Sequence, residues 1–265
     1  MKIAIIGAGN MGGALARGLA RGSKVATTDI YVSNPSSAKL EALKAEFPQI
    51  NTTNDNCEAV ANADMVVLAV KPWKVEQVVN EIKPQMDYRH ISVASMVGGL
   101  DVAQLSQWLD KGDGMLPATH LIIPNTAIAT MSSMTFIASA RSTASEEQEL
   151  LDIFNELGCA MLVEEGLIPA GTSLASCGIA YALRYIRAAM EGGVELGFRA
   201  DDAKRIVMQT LRGAADILDA GGLHPEAEID RVTTPGGLTI KGLNAMEAAG
   251  FTTSVIAGLK ASTKR

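Results

Sequence analysis

The sequence predicts an α/β protein in which a doubly wound parallel sheet is followed by an all-helical C-terminal domain. Short apolar segments alternate with segments of helical periodicity over roughly the first 165 residues, and no clear strand follows Gly166. A glycine-rich turn at residues 7–12 joins the first expected strand to the first expected helix. We therefore divide the chain into an N-terminal domain at residues 1–165 and a helical domain at residues 166–265.

The composition limits the class of protein. The 265-residue chain is 48% hydrophobic with a net charge of −6, which provides a core without disulfides and argues against a nucleic-acid partner. Cys57, Cys159 and Cys177 lack the spacing of a disulfide framework or a zinc site. We therefore expect no metal and a reducing, cytoplasmic setting. Because no apolar run approaches the ~20 residues of a membrane helix, we also expect no membrane partner.

The N-terminal domain is expected to contain seven strands, at residues 2–6, 30–33, 65–70, 90–96, 121–123, 135–138 and 161–163. Apolar spacing and breaker residues predict helices at 10–21, 36–47 and 145–157, the last opened by a capping box of Ser145 and Gln148. Strands that alternate with helices in this way are typical of a parallel sheet.

Four helices are expected in the C-terminal domain, at residues 173–196, 201–220, 238–249 and 252–260. The first is apolar nearly all round, since Arg184 and Arg187 are the only charged residues between positions 173 and 190. A helix without a polar face must be buried on most sides, so we expect the chain to associate with a second copy as a dimer or larger homo-oligomer.

The turn Gly7-x-Gly9-x-x-Gly12 directly follows a strand and directly precedes a helix. In this context Gly7 permits the tight turn, Gly9 lets the backbone approach a pyrophosphate, and Gly12 lets the helix pack closely on the strand. The pattern predicts a Rossmann-type dinucleotide site. The alternative is a glycine-rich turn without a ligand.

The ends of the later strands border the same predicted crevice. The second strand runs into Ser33-Asn34-Pro35-Ser36-Ser37, which is neutral and rich in donors, and Lys39 follows. An NAD-preferring site usually has an acidic residue there, so the stretch favours NADP, although a serine-capped turn explains it equally and is compatible with a cofactor. Lys71-Pro72 and the stretch 123–127 (IPNTA) should face the crevice, with a solvated lysine and a plain turn as alternatives.

Near the C-terminus a cluster of breakers and hydroxyls separates two helical segments: Thr233, Thr234, Pro235, Gly236, Gly237 and Thr239. Backbone amides freed of side-chain bulk can converge on an anion where a helix begins. The same residues also fit a helix–helix turn with a threonine cap, so their chemistry alone leaves both interpretations open.

Together these stretches resemble the pyrroline-5-carboxylate reductase family. The matching segments cover nearly the whole chain in family order: IIGAGNMG, DIYVSN, ADMVVLAVKP, IPNT, CGIAY, HPEAEIDRVTTPGGLTIKGL and EAAGF. The TTPGG loop followed by a helix is the most specific of them. The resemblance implies reduction of 1-pyrroline-5-carboxylate to L-proline, the last step of proline biosynthesis, with NADPH or NADH as donor, and a helical domain that interleaves with another subunit.

The resemblance also assigns residues. It implies that the pyrophosphate is contacted by Gly7, Ala8, Gly9, Asn10, Met11 and Gly12, and that the rest of the cofactor is contacted by Asn34, Pro35, Asn56, Ala69, Val70, Lys71, Pro72 and Asn125. Thr234, Pro235, Gly236 and Gly237 would hold the substrate carboxylate, and Thr239 would hydrogen-bond the ring nitrogen, which makes Thr234 and Thr239 the catalytic candidates. His90, His120 and His224 lie outside the glycine-rich turn and the TTPGG loop and are expected to be structural, because a substrate that arrives as the iminium needs no strong protein acid.

Several positions depart from the family pattern. Pro35 stands where many members have arginine, which weakens the prediction of NADP, and Ala127 stands where a proline is common. Cys177 and Ile179 replace a serine and a proline, and Leu238 replaces a threonine or alanine. Two alternative functions therefore remain: reduction of a related cyclic imine or a small hydroxy acid, with Lys204 or Lys241 as acid in the latter case, and a non-catalytic dinucleotide-binding homologue.

Overall fold

The computed structural model describes residues 1–263. The chain divides into two compact units, Met1–Ser176 and the residues from Cys177 onward. This division lies eleven positions after the 165/166 boundary predicted from the sequence. The change from strands to helices nevertheless comes where it was expected, since the described chain contains no strand after Leu162.

An eight-stranded sheet organises the first unit, in the order β3-β2-β1-β4-β5-β6-β7-β8. Its strands are β1 (Ile3–Ile6), β2 (Ile30–Ser33), β3 (Asn51–Thr53), β4 (Met65–Leu68), β5 (Ser92–Ser95), β6 (Thr119–Ile123), β7 (Ser133–Ala140) and β8 (Gly158–Leu162). β1 pairs in parallel with both β2 and β4. The strand order therefore reverses at β1, and this switch point is where open α/β sheets bind ligands.

Helices cover both faces of the sheet, which confirms the doubly wound prediction. They are α1 (Asn10–Arg21), α2 (Ser37–Glu46), α3 (Asn56–Val60), α4 (Val75–Ile82), α5 (Val102–Leu109), α6 (Ala144–Glu156) and α7 (Ile168–Gly171). One buried cluster joins α1, α2 and α6 to one face, with Leu15 and Leu43 fully buried, and another joins α3, α4 and α5 to the opposite face, with Val79 and Leu105 fully buried.

The sheet is parallel, as predicted, except at one pairing. β7 runs antiparallel to β6, with Leu121 opposite Ala138, and β8 is parallel to β7. The connection at residues 124–132 is shorter than the roughly dozen residues that a parallel crossover needs, so β7 must return beside β6 in the opposite direction.

The capping box of α6 also differs from the prediction. Thr143 Oγ1 accepts from the backbone N–H of Glu146 at 3.3 Å, and Glu146 Oε2 accepts from the N–H of Thr143 at 2.6 Å. Ser145 lies inside the helix. The predicted box was shifted by two residues because the same spacing of hydroxyl and acceptor occurs twice in this stretch.

The second unit contains α8 (Gly178–Glu195), α9 (Ala200–Gly221), α10 (Pro225–Val232), α11 (Leu238–Ala248) and α12 (Phe251–Ala261), and a π-helical stretch, Thr172–Cys177, precedes it. Ala203 is the only buried residue among those described from Cys177 onward. Large apolar side chains such as Leu183, Phe198 and Val255 are about half exposed. This unit therefore has too little core of its own and needs an apolar surface to cover it.

One helical run in the described chain, Glu165–Glu195, is long and apolar enough to cross a membrane by length and composition alone. The sequence prediction concerned uninterrupted apolar runs, which residues such as Thr172, Arg184 and Arg187 break in this segment, and the absence of a membrane partner stays a prediction. Only 17% of its most apolar part is buried, so this helix exposes an apolar surface of its own.

Candidate functional site

The glycine-rich turn closes tightly on the neighbouring strand. The N–H of Gly7 donates to the carbonyl of Ser33 at 2.8 Å, and Gly7 has φ +108°, which favours glycine. A Cβ there would lie 2.7 Å from the carbonyl oxygen of Ala69. Gly9 has open space where a Cβ would be, and it caps α1 without any side chain to occupy the first N–H groups. A phosphate can therefore approach these amides and the positive end of the helix dipole.

A cleft of about 760 Å³ lies along the carboxyl ends of β1, β2, β4 and β5. It is lined by most of the residues predicted to bind a cofactor: Gly7, Gly9, Asn10, Met11, Asn34, Pro35, Asn56, Ala69, Val70, Lys71 and Pro72. The walls also include residues that the sequence did not single out for this role, among them Asn54, Lys74, Gln77, Glu81, Met96, Val97 and Gly98. Most of these follow β3, belong to α4 or follow β5. The prediction that strand ends border the crevice could have found the last group, whereas β3 itself was not predicted from the sequence.

Three predicted residues do not line this cleft. Ala8 donates its N–H to Oδ1 of Asn34 at 3.0 Å and faces a second cavity of about 500 Å³ instead. Gly12 lies under the loop, where a Cβ would overlap the carbonyl oxygen of Gly7. Asn125 is buried, and its Oδ1 accepts from the N–H of Ala127 at 3.0 Å, so its side chain caps a short turn. Within the described residues these three serve the architecture around the cleft.

Hydrogen-bonded asparagines form one end of the cleft, here called the β2–β3 end. Asn34 Nδ2 donates to the carbonyl of Ser36 at 3.1 Å, and Asn54 Nδ2 donates to the carbonyl of Asn34 at 2.8 Å. Asn56 Oδ1 accepts from the hydroxyl of Ser33 at 2.7 Å. The loops after β2 and β3 are thus tied to each other and to α3.

The charges around the cleft suit an anionic ligand. Lys39, Lys71 and Lys74 line it, and Glu81 is its only acidic lining residue. No acidic residue lies between Ser33 and the first turn of α2. The excess of ammonium groups raises the local concentration of an anion such as a dinucleotide.

One group of metal-ligating side chains occurs among the described residues. A carboxylate oxygen of Asp55, the sulfur of Cys57 and a carboxylate oxygen of Glu81 lie within 4.8 Å of one another. Asp55 already caps α3 by accepting from two backbone N–H groups. Burial, followed by the charges of Asp55 and Glu81, raises the pKa of the Cys57 thiol, so the thiolate that a metal requires is disfavoured.

The histidines have structural surroundings. His120 is buried in β6, and its Nδ1 lies 2.9 Å from the hydroxyl of Ser139. Burial lowers the pKa of His120 to about 4, although Glu146 and Glu147 partly offset this effect. His224 accepts from the N–H of Glu226 at the start of α10. None of the three histidines lines the cleft.

The loop at residues 233–237 joins α10 to α11 in the second unit. Gly237 donates its N–H to the carbonyl of Thr234 at 2.9 Å, and Gly236 has φ +71°. Gly237 caps α11 without a side-chain hydrogen bond, and no acidic residue lies in the first turn of this helix. Thr234, Pro235, Gly236 and Thr239 are exposed, and Leu238 is 87% exposed. The loop therefore presents hydroxyls and the amides of a helix N-terminus, which suits a carboxylate.

Comparison with family models gives two matches. Residues 165–265 match the model described as pyrroline-5-carboxylate reductase dimerisation. Residues 2–98 match the model described as NADP oxidoreductase coenzyme F420-dependent. The first match contains the exposed apolar helices and the 233–237 loop, and the second contains the glycine-rich turn.

Individual proteins align with the whole chain. Pyrroline-5-carboxylate reductase 2 of Dictyostelium discoideum is 38% identical, and the alignment covers 100% of this chain and 91% of that protein. Pyrroline-5-carboxylate reductase 1 of the same organism is 37% identical over 99% of this chain, which spans 49% of that longer protein. A crystal structure of Plasmodium falciparum pyrroline carboxylate reductase with NADP bound has a TM-score of 0.88 at 25% identity, covering 99% of this chain and 95% of that one.

Proposed function

The chain belongs to the pyrroline-5-carboxylate reductase family, and we propose that it reduces 1-pyrroline-5-carboxylate to L-proline with a hydride from NADPH, or more slowly from NADH. The observation that carries the proposal is the joint presence of two anion-binding elements. One is the open N-terminus of α1 behind Gly9, and the other is the open N-terminus of α11 behind Gly237. They suit a pyrophosphate and a carboxylate respectively.

The cleft residues would hold the cofactor. The bound nicotinamide would supply the hydride that adds to the carbon of the substrate C=N bond. Gly9 and the first turn of α1 would bind the pyrophosphate through backbone N–H groups, and Gly7, whose N–H is bonded to Ser33, would shape the turn that presents them. Asn34, Pro35 and Asn56 line the β2–β3 end, where we assign the adenosine ribose, and residues 69–72 line the other part, where we assign the nicotinamide half.

The substrate carboxylate is assigned to Thr234, Pro235, Gly236 and Gly237, which directly precede α11; the first three are exposed and Gly237 is partly buried. The hydroxyl of Thr239 would hydrogen-bond the ring nitrogen. The iminium form of the substrate already carries the proton that ends on the product amine, so the protein contributes positioning and not a strong acid. The surroundings of the three histidines support this division of roles, because none lines the cleft.

Assembly and location form part of the same proposal. The exposed apolar surface of the second unit and the dimerisation match support a homo-oligomer of at least two copies. Three free cysteines support a reducing, cytoplasmic location, which fractionation of cells that express the chain would test.

The test of the activity is oxidation of NADPH by the purified chain with pyrroline-5-carboxylate, followed by absorbance and by proline formation, and repeated with NADH. Oxidation coupled to proline supports the proposal and ranks the cofactors. Turnover of another cyclic imine but not of pyrroline-5-carboxylate would support the related-imine alternative. Tight NADPH binding without any turnover would support a non-catalytic homologue.

A further inference from the structure

Asn56 has an unusual partner among the asparagines of the cleft. Its Nδ2 donates to Oε2 of Glu81 at 3.1 Å, whereas the Nδ2 groups of Asn34 and Asn54 donate to main-chain carbonyls. Asn56 opens α3 and Glu81 lies near the end of α4, and both line the cleft. Within residues 1–263 Glu81 forms no ion pair, so this hydrogen bond is the specific contact of its carboxylate.

Of the two partners of Asn56, Glu81 determines which way its amide points. The ionised carboxylate of Glu81 only accepts hydrogen bonds, so Nδ2 must face it. The amide oxygen also only accepts, so the hydroxyl of Ser33, 2.7 Å away, must be the donor on the other side. A flipped amide would place Oδ1 against the carboxylate and would lose that bond, whereas the hydroxyl of Ser33 could then accept from Nδ2, so Glu81 alone fixes the orientation. One N–H and one oxygen lone pair of Asn56 are left over.

We propose that Glu81 is a positioning residue for cofactor binding. Its carboxylate holds the amide of Asn56 in the single orientation that binds the adenosine ribose. The inference deepens the proposed function and rests on it. The remaining N–H and lone pair of Asn56 match a ribose hydroxyl, which both donates and accepts. Glu81 itself acts through Asn56.

Long-range electrostatics opposes this role and so provides a test of it. A carboxylate in the wall of a cleft repels an anionic cofactor, so removing its charge should tighten binding if only the field matters. If Glu81 orients Asn56, any replacement that cannot accept a hydrogen bond from Asn56 Nδ2 should instead weaken cofactor binding. Glu81→Lys separates the two effects, because lysine attracts the anion but can only donate.

The experiment measures NADPH binding by fluorescence, together with kcat and the KM for each substrate, in the full-length protein. We expect Glu81→Ala and Asn56→Ala each to weaken NADPH binding by up to about tenfold, as for the loss of a neutral hydrogen bond between the amide and the ribose. The double variant should be no worse than Asn56→Ala, because the two residues act as one unit. Glu81→Gln should restore binding, Glu81→Lys should not, and kcat with saturating NADPH should stay within a few-fold.

Glu76→Ala is the matched control, since Glu76 is exposed on the same helix and outside the cleft. Wild-type NADPH affinity in Glu81→Ala, tighter binding in Glu81→Lys, or additive losses in the double variant would each overturn the positioning role. A wild-type protein that neither binds NADPH nor forms proline would instead overturn the proposed function.

Discussion

A methyl group added at Gly12 would collide with the main-chain carbonyl oxygen of Gly7. Since a backbone atom cannot rotate away, Gly12→Ala should lower the free energy of unfolding by about 1–3 kcal/mol, more than alanine gains as a helix former. Gly9→Ala should leave stability nearly unchanged but obstruct the pyrophosphate, because its Cβ meets open space in the cleft. Urea unfolding and NADPH titration of both variants would check this, and equal loss of stability in both would contradict it.

The hydroxyl of Thr239 is assigned to the substrate nitrogen. Thr239→Ala should reduce kcat by about tenfold to a hundredfold, the effect of one hydrogen bond to a charged group, while NADPH affinity stays within a few-fold. Thr239→Ser keeps the hydroxyl and should retain most of the activity. Steady-state kinetics with pyrroline-5-carboxylate would measure both, and unchanged turnover in the alanine variant would remove Thr239 from the mechanism.

Lys39 lines the cleft just after the neutral loop that ends β2, where a 2′-phosphate would lie. Lys39→Ala should raise the KM for NADPH about tenfold through loss of one charged contact and leave the KM for NADH unchanged. NADH serves as the internal control, because it lacks the phosphate. Equal changes for both cofactors would assign Lys39 to some other part of the dinucleotide.

The buried His120 should make stability depend on pH. Its pKa is about 4 in the folded protein, against about 6.5 when exposed, so below pH 6.5 only the unfolded chain takes up the proton. The free energy of unfolding is unaffected by His120 above pH 6.5. It falls by about 3 kcal/mol as the pH falls towards 4, because the unfolded chain alone gains the proton over this range. Urea unfolding between pH 7 and 4 should show this loss in the wild type and a shallower one in His120→Gln. Parallel pH profiles for the two proteins would show that other groups control the decline.

Exposed apolar residues of the second unit should lie in a subunit interface. Leu183 on α8 and Val255 on α12 are 58% and 46% exposed, respectively. Replacing either residue with arginine should dissociate the homo-oligomer and lower its molar mass in solution, because a charge in an apolar interface is left without a partner. Light scattering would measure this, with Glu191→Arg on the same helix as the control. A wild-type monomer would contradict the proposed assembly.

Local patterns predicted much of the first unit. The bounds of β2 and α1 agree residue for residue with the sequence prediction, because a short apolar run and a helical repeat beside a glycine turn are properties of neighbouring residues. The short α3, α4 and α5 were missed because each has at most eight residues, although α4 places Val75, Val78, Val79 and Ile82 at helical spacing and could have been found from that pattern. The strand predicted at residues 135–138 is part of β7 (Ser133–Ala140), but its direction was not predicted, because an apolar run reads the same for a parallel and an antiparallel strand.

The sequence by itself determined the glycine-rich turn and the loop that precedes α11, since these depend on glycine conformation and helix ends within a few residues of one another. The resemblance of motifs along nearly the whole chain determined the family. Only the tertiary structure decided that Asn56 meets Glu81, whereas the contact of Asn125 with Ala127 is local and matches the plain turn that the sequence left open as an alternative. Hydrogen bonds between side chains 25 positions apart depend on how strands and helices pack, and no local pattern encodes that distance.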